Sequence, residues 1–269
     1  MTEITNAKLR AFHGDPALKA AFLEQIGQHE VADMIVKGTY GKSVDGGWKG
    51  CAIGCSLRSL NKIQGKAKID RATGDHERFP PELGLPLWLA YFEDNIFEWL
   101  PNELSKTWPR RLAEAIPAGA CVDDLVLAKI LRWTLGAEPF GVRYAATDAA
   151  VVAVVDRMVA LFDRTIRGDE PTSNEWDEAA RATWDTTRDV RAARAAWDVR
   201  AARAAWDVRA ARAARAAWAV KDVWNVWDVR AARAADTRDA FYPALSEYVL
   251  SLLRELPMQC LQERSGRTG

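Results

Sequence analysis

The sequence predicts an all-α protein, because helical signals recur along nearly the whole chain and strand signals are scarce. Asp15 followed by Pro16 is typical of a helix start, and apolar residues follow it at helical spacing. The stretch 87–100 is the most apolar helical segment, and Pro101 ends it. Alanine, arginine and tryptophan dominate the last third and favour a helix. We therefore expect a multi-helix globular N-terminal domain followed by a long or broken helical region.

Caps and breakers place the other elements. Helices are predicted at 15–25, 29–36 and 51–63, with a glycine-rich loop over 37–50 and a charged loop over 64–81. Further helices are expected at 108–116, 122–135 and 147–166, the last with Thr147 and Asp148 as capping residues. A capped helix should begin near Ser173, and a last amphipathic helix should cover 242–256.

Three regions are predicted along the chain. The clearest linker signal is the run of Gly168, Pro171, Thr172 and Ser173. It divides a helical globular domain, 1–170, from an Ala/Arg/Trp-rich helical region with a closing amphipathic helix, 171–257. A flexible tail, 258–269, is expected to follow.

Composition excludes some classes of protein. Lys plus Arg and Asp plus Glu number 37 each, so no long-range field of one sign attracts nucleic acid or an anionic membrane. The four cysteines are too few and too unevenly spread for a disulfide framework, and the first residues lack the pattern of a signal peptide. No apolar run approaches the ~20 residues of a membrane span. These features predict a cytoplasmic protein.

A three-residue register marks the C-terminal region. From Arg188 to Arg233 every third residue is arginine, lysine or tryptophan. Because three residues turn an α-helix by only ~300°, this row winds around the helix and does not mark one face. Partners must then cover several sides of one rod, or the rod must break, which predicts a homo-oligomer or a protein partner bound through the Trp-rich helix. Nucleotide or single-stranded nucleic-acid binding is the alternative, but interleaved aspartates offset much of the positive charge.

One group of residues is suited to chemistry. Cys51 follows the glycine-rich loop near a helix start, where backbone amides and the helix dipole lower a thiol pKa, and Lys49 could assist. His76 is the candidate general base, and Glu93 and Asp94 could orient it. This set predicts a cysteine-dependent hydrolase or transferase as one interpretation. The other interpretation is that the small residues of the motif allow close helix packing.

An anionic ligand at the N-terminus of the same helix is a further possibility. The candidate ligand-binding residues are Lys49, Gly50, Cys55, Arg58 and Trp88. No metal site is expected, because Cys51, Cys55 and one histidine fall short of the four ligands that structural zinc uses. No cofactor is expected, since the Walker loop and the dinucleotide-binding glycine pattern are absent. A flexible connector is the alternative interpretation of the glycine-rich loop.

Several motifs together resemble one protein family. They are Lys49-Gly50-Cys51-Ala52-Ile53-Gly54-Cys55, Leu83-Gly84-Leu85-Pro86, Leu89 with Glu93, Asp94, Ile96, Phe97, Glu98 and Leu100-Pro101, then Trp108-Pro109 and Ala115-Ile116-Pro117. Over nearly its whole length the chain is similar to a family of bacterial and phage proteins that end in an Ala-, Trp- and Arg-rich helical tail of variable length. The family has no assigned activity. Its members often carry a histidine where this chain has Arg58.

Variable tail length in that family implies a scaffold or interaction element. The sequence therefore favours a non-enzymatic helical binding or interaction protein, an accessory of a phage or mobile element. Its partner would be another copy, a different protein or a small anion. The alternatives are a cysteine-dependent enzyme that uses Cys51 and His76, and a nucleotide-binding or nucleic-acid-binding Arg/Trp helix.

Overall fold

The computed structural model describes residues 9–44, 47–66, 75–146, 149–191 and 235–258. These residues are mostly helical, which confirms the all-α class, and they include one small two-stranded sheet. The chain divides into two compact units, the first over Met1–Asp123 with Tyr242–Gly269 and the second over Asp124–Phe241. The boundary predicted at residue 170 lies inside the second unit.

The helices and strands are numbered in chain order. The first unit contains α1 Pro16–Val31, β1 Lys42–Val44, β2 Gly47–Lys49, α2 Ala52–Ile63, α3 Phe79–Leu83, α4 Leu87–Trp99 and α5 Asn102–Ala115, with short 3-10 turns at Ala11–Gly14 and His76–Arg78. The second unit contains α6 Asp124–Gly136, α7 Val142–Ala145, α8 Ala149–Arg167 and α9 Ser173–Arg191. The final helix, α10 Ala235–Arg254, begins in the range of the second unit and ends in that of the first.

Helix α1 begins as predicted, because Asp15 accepts a hydrogen bond from the Ala17 amide at 2.8 Å. It continues to Val31, so the separate helix predicted over 29–36 is wrong. Asp33 has a positive φ of 50°, and the chain then runs beside Gly50, which bonds Met34 and Val36 through its backbone. Pairing with a distant segment has replaced the local helical preference.

The glycine-rich loop contains a β-hairpin that was not predicted. Strands β1 and β2 are antiparallel, and Trp48 on β2 is buried. The Trp48 indole covers Gly41 and Gly50, where an added Cβ would lie 2.6 and 2.5 Å from the ring. These glycines are therefore needed for packing beneath a large side chain. The sequence alone does not distinguish such packing glycines from the glycines of a flexible loop.

Helix α4 lies in the core of the first unit, as its apolar sequence predicts. Leu89, Ile96 and Phe97 are buried, and α4 packs against α2 and α5. Helix α5 begins directly after Pro101, where the Ser105 amide bonds the Pro101 carbonyl, and not at Trp108 as predicted. The start of α5 was predicted too late, because its first turn is polar and lacks the apolar spacing that indicates a helix.

The second unit is built from packed helices. Helix α8 packs against α6 and α9, and the rings of Phe162 and Trp176 lie 5.1 Å apart. The predicted linker at 167–174 joins α8 to α9 within this unit. At the start of α9, Thr172 and Glu175 form a reciprocal cap, because each backbone amide bonds the other side chain.

Some predictions lie outside the described residues. They are the caps Thr147 and Asp148, the Arg/Trp row from residue 192 onward, Cys260, and the tail after Met258. The number and lengths of helices in the Arg/Trp row, and a partner bound through it, stay predictions. Among the helices that the structure does describe, none has both the length and the apolar character of a membrane span.

Candidate functional site

The segment 37–41 lies between α2 and α4 and brings the candidate residues together. Along α4, Lys37 donates to the Leu100 carbonyl, the Gly38 amide donates to Glu98 at 3.1 Å, and the Tyr40 hydroxyl donates to Asp94 at 3.2 Å. On the other side, the Cys51 amide donates to the Thr39 carbonyl at 2.7 Å. One short segment therefore connects the start of α2 to the acidic face of α4.

Cys51 caps helix α2 through its own sulfur. Its Sγ accepts the Gly54 amide at 3.5 Å, and the residue is only 1% exposed. Burial raises the pKa of Cys51 to about 12; the Gly54 amide acts in the opposite direction, and the Asp94 carboxylate adds to the rise. Burial thus outweighs the helix-start effect that predicted a lowered pKa. Lys49 lies against Asp33 at 3.8 Å.

The rest of the cysteine motif is buried in the protein. The Cys55 thiol donates to the Gly50 carbonyl at 3.5 Å, and burial raises its pKa. A Cβ added at Gly54 would lie 1.6 Å from the Tyr40 carbonyl oxygen. The Tyr40 backbone and the Cys51 sulfur therefore lie where an anion at the N-terminus of α2 was predicted.

His76 is buried against α4. Its Nε2 lies 3.3 Å from Asp94 Oδ2, the oxygen that also accepts from the Tyr40 hydroxyl. The Tyr91 ring stacks on the imidazole at 4.3 Å between centroids, and the Tyr40 ring approaches it edge-on at 6.0 Å. Asp94 thus occupies the orienting position proposed for it, although His76 is covered and does not lie in an open loop.

The His76 segment is held in place by an arginine two residues later. Arg78 donates to both carboxylate oxygens of Glu82 and, at 2.8 Å, to the Asn61 side chain of α2. These charge-assisted bonds fix the 3-10 turn against the end of α2. The position of His76 therefore depends on contacts that its own sequence neighbourhood does not reveal.

Glu93 is buried next in sequence to Asp94, the residue that contacts His76. Burial raises its pKa to about 8, and the neighbouring Asp94 charge adds to the rise. Its main-chain carbonyl accepts the Trp108 indole N–H at 3.2 Å. The ion-pair contact with His76 is made by Asp94, the second of the two carboxylates that the sequence proposed as orienting groups.

Two tyrosines that the sequence did not single out form the outer part of this site. Tyr91 is 53% exposed and Tyr40 is 40% exposed. Burial, then Glu77 and Asp75, raise the pKa of Tyr91, and burial, then Asp94, raise that of Tyr40 to about 12. We call this the tyrosine–aspartate surface: Tyr40, Tyr91 and Asp94, with Asp75 and Glu77 beside them. Lys37 lies near Glu98, and burial lowers its pKa.

The remaining predicted ligand residues have separate partners. The Arg58 guanidinium lies 4.5 Å over the Trp48 ring. The Trp88 indole nitrogen is buried and has no hydrogen-bond partner among the described residues. Gly50 lies beneath Trp48, and Cys55 bonds the backbone. Arginine commonly stacks on tryptophan, but the sequence does not show that Trp48 on β2 and Arg58 in α2 meet.

Two further observations limit the chemistry. Cys121 is disulfide-bonded and is not a free thiol for comparison with Cys51. Within the part of the chain that the structure describes, no three His, Cys, Asp or Glu residues are grouped as metal ligands.

The fold and the site together define a helical protein with a thiol-capped helix and a surface of tyrosines and carboxylates. No family model, curated protein or solved structure matches the chain. The resemblance to a bacterial and phage family therefore stays a prediction.

Proposed function

We propose that the chain is a non-enzymatic interaction protein whose tyrosine–aspartate surface binds a basic segment of a protein partner. One observation carries the proposal: Tyr40 and Tyr91 are exposed around the buried contact of His76 with Asp94. Exposed aromatic side chains that are held rigidly are typical of recognition surfaces. The setting as a phage or mobile-element accessory is part of the proposal and is supported by the family resemblance alone.

The chemistry of Cys51 supports a binding role over an enzymatic one. A cysteine nucleophile reacts as the thiolate and needs access to its substrate. Because burial raises the pKa of Cys51 to about 12, its thiol is protonated at neutral pH. Cys51 is also buried, and its sulfur already accepts a hydrogen bond.

The charge of the surface supports a basic partner. Asp75 and Glu77 lie close enough to Tyr91 to raise its pKa, and Asp94 does the same for Tyr40. A guanidinium or ammonium over an exposed tyrosine face contributes about 0.5–1 kcal/mol, and nearby carboxylates add attraction that salt weakens. A lysine or arginine side chain fits both features.

Binding of short labelled peptides, measured by fluorescence anisotropy, tests the proposal. At low salt, a peptide of alternating arginine and alanine should bind, and one of alternating glutamate and alanine should not. Tyr91→Ser should weaken binding roughly fivefold, because it removes an exposed aromatic face. Tyr144→Ser is the matched control, since Tyr144 is similarly exposed in the second unit. Equal binding of both peptides, or unchanged binding by Tyr91→Ser, would contradict the proposal.

A further inference from the structure

A second cluster of the first unit surrounds the Trp48 ring and is separate from the tyrosine–aspartate surface. The Arg58 guanidinium lies 4.5 Å over this ring, and the His29 imidazole lies 5.9 Å from it between centroids. The Trp48 ring packs closely against Gly41 and Gly50, where an added Cβ would lie 2.6 and 2.5 Å from it. Arg58 and His29, from α2 and α1, are thus held around one closely packed side chain.

The polar groups of this cluster have unused hydrogen-bonding capacity. Among the described residues, Arg58 contacts the Trp48 ring, and no carboxylate or hydrogen-bond acceptor pairs with its guanidinium. His29 Nδ1 and Trp48 Nε1 are both buried, and within the same part of the chain neither has a hydrogen-bond partner. Because buried polar atoms in folded proteins are nearly always bonded, His29 Nδ1, protonated and next to an arginine without an acid, indicates a missing acceptor. The Trp48 nitrogen lies on the Gly41 side of the ring.

The local charge has the sign that an anion requires. Burial first, and then the positive charges of Arg58 and Lys62, lower the pKa of His29 to about 4. Lys62 donates to the neutral amide of Gln28 at 3.0 Å. The Gln28 side-chain nitrogen in turn donates to the Glu24 carboxylate at 3.2 Å, so the Gln28 amide lies between Lys62 and this acid. The two cations therefore remain without an acid in direct contact.

We propose that Arg58, Lys62 and His29 bind a small oxyanion, a carboxylate or a phosphate group, beside the Trp48 ring. The planar guanidinium presents paired N–H groups that match two oxygens of either anion. Lys62 is exposed and Arg58 is half-buried, so the anion enters from their side, and His29 Nδ1–H donates to it from the interior. This site is distinct from the N-terminus of α2, which the protein itself covers.

Titration of the folded protein with inorganic phosphate or with sodium acetate, followed by NMR, tests this site. The NMR signals of the His29 ring nitrogens and of the Trp48 indole N–H should shift and saturate with at least one of the two anions. The anion that saturates them at lower concentration shows whether the site prefers phosphate or carboxylate. The bound anion should raise the pKa of His29, because it stabilises the imidazolium. Sodium chloride at equal ionic strength should leave these signals unchanged.

Arg58→Gln should weaken anion binding roughly tenfold or more, because it removes a charged donor. Arg143→Gln, at an exposed arginine paired with Asp156 in the second unit, is the matched control and should bind as the parent protein does. Arg58→Lys keeps the charge but loses the planar pair of N–H groups, so an intermediate loss of anion binding is expected. This variant provides the test if Arg58→Gln does not fold. Identical shifts with chloride, absence of shifts with both anions, or unchanged binding by these Arg58 variants would overturn the proposal. Peptide binding at Tyr91 is measured separately, so each site can fail without the other.

Discussion

Residues of the cysteine motif make packing and capping contacts that explain why glycine or cysteine stands at several of its positions. Gly54 faces the Tyr40 carbonyl, Gly50 lies beneath Trp48, and Cys51 caps the helix with its sulfur. A cysteine near a helix start could equally have been a nucleophile, and the sequence left both interpretations open. Burial of Cys51, which depends on the distant segment 37–41 and on α4, favours the structural interpretation.

Gly54→Ala should destabilise the protein by roughly 1–3 kcal/mol or more, because its Cβ would lie 1.6 Å from a backbone oxygen that cannot rotate away. The matched control is Gly27→Ala within α1, where an added Cβ meets nothing within 4 Å. That change should stabilise by about 0.5–1 kcal/mol. Urea unfolding of both variants measures the two effects. Equal stability of Gly54→Ala and the parent protein would refute the close contact.

His29 should make stability depend on pH. Its pKa is lowered from 6.5 to about 4 in the folded protein, so the unfolded state binds the proton more readily. Its contribution is complete above the unfolded pKa and is lost as the pH falls through the folded value, up to roughly 3 kcal/mol. His29→Phe should remove this dependence when unfolding is compared at pH 7 and pH 4 in a buffer free of phosphate and carboxylate. If His29→Phe lost as much stability between pH 7 and pH 4 as the parent protein, His29 would not be buried in its neutral form.

Glu93 should act in the opposite direction. Its pKa is raised to about 8, so the folded protein holds a proton that the unfolded chain releases at lower pH. Its contribution is complete below the unfolded pKa of 4.5 and is lost as the pH rises through about 8. Glu93→Gln should therefore gain stability relative to the parent protein between pH 5 and pH 9, whereas Glu255→Gln, at an exposed glutamate, should not. A constant difference across this range would contradict the buried acid.

At the scale of helices and strands, local signals predicted the elements that depend on local physics. The Asp15–Pro16 cap located the start of α1, and the apolar run of α4 ended near Pro101 as predicted. The extended chain after Asp33 was missed, because it is stabilised by pairing with Gly50, which lies further along the chain. The hairpin around Trp48 pairs residues close in sequence, and it was missed because its glycines predicted a loop. Tyr40, Tyr91 and Trp48 were missed as site residues, because their contacts come from segments that are separate in sequence.

The cap of α9 offers a test at this scale. Thr172 accepts the Glu175 amide at 3.3 Å, and its own amide donates to the Glu175 carboxylate at 2.7 Å. Thr172→Ala should cost about 1 kcal/mol of stability, and Thr172→Ser, which keeps the hydroxyl, should cost much less. Amide hydrogen exchange at Glu175 and urea unfolding report the change. Equal losses for the two variants would mean that the hydroxyl is not the capping group.

For the whole molecule, the composition of the chain names one candidate for the basic partner. Between Arg188 and Arg233 arginine and lysine outnumber aspartate. A second copy of the chain therefore carries a basic segment, which is the kind of partner proposed for the tyrosine–aspartate surface. Light scattering at low salt should then give a mass above the 29.9 kDa of one chain. High salt or Tyr91→Ser should return it toward that value. A mass of one chain at low salt would exclude self-binding and leave another protein as the partner.

The proposed binding role requires that Cys51 is a buried capping residue of α2 and not a nucleophile. Alkylation of the folded protein by iodoacetamide, with each labelled cysteine identified by mass spectrometry, tests it most directly. Cys51 and Cys55 should both react slowly at neutral pH and much faster only after unfolding, because both thiols are buried and protonated. Rapid, selective labelling of Cys51 in the folded protein at neutral pH would contradict the account.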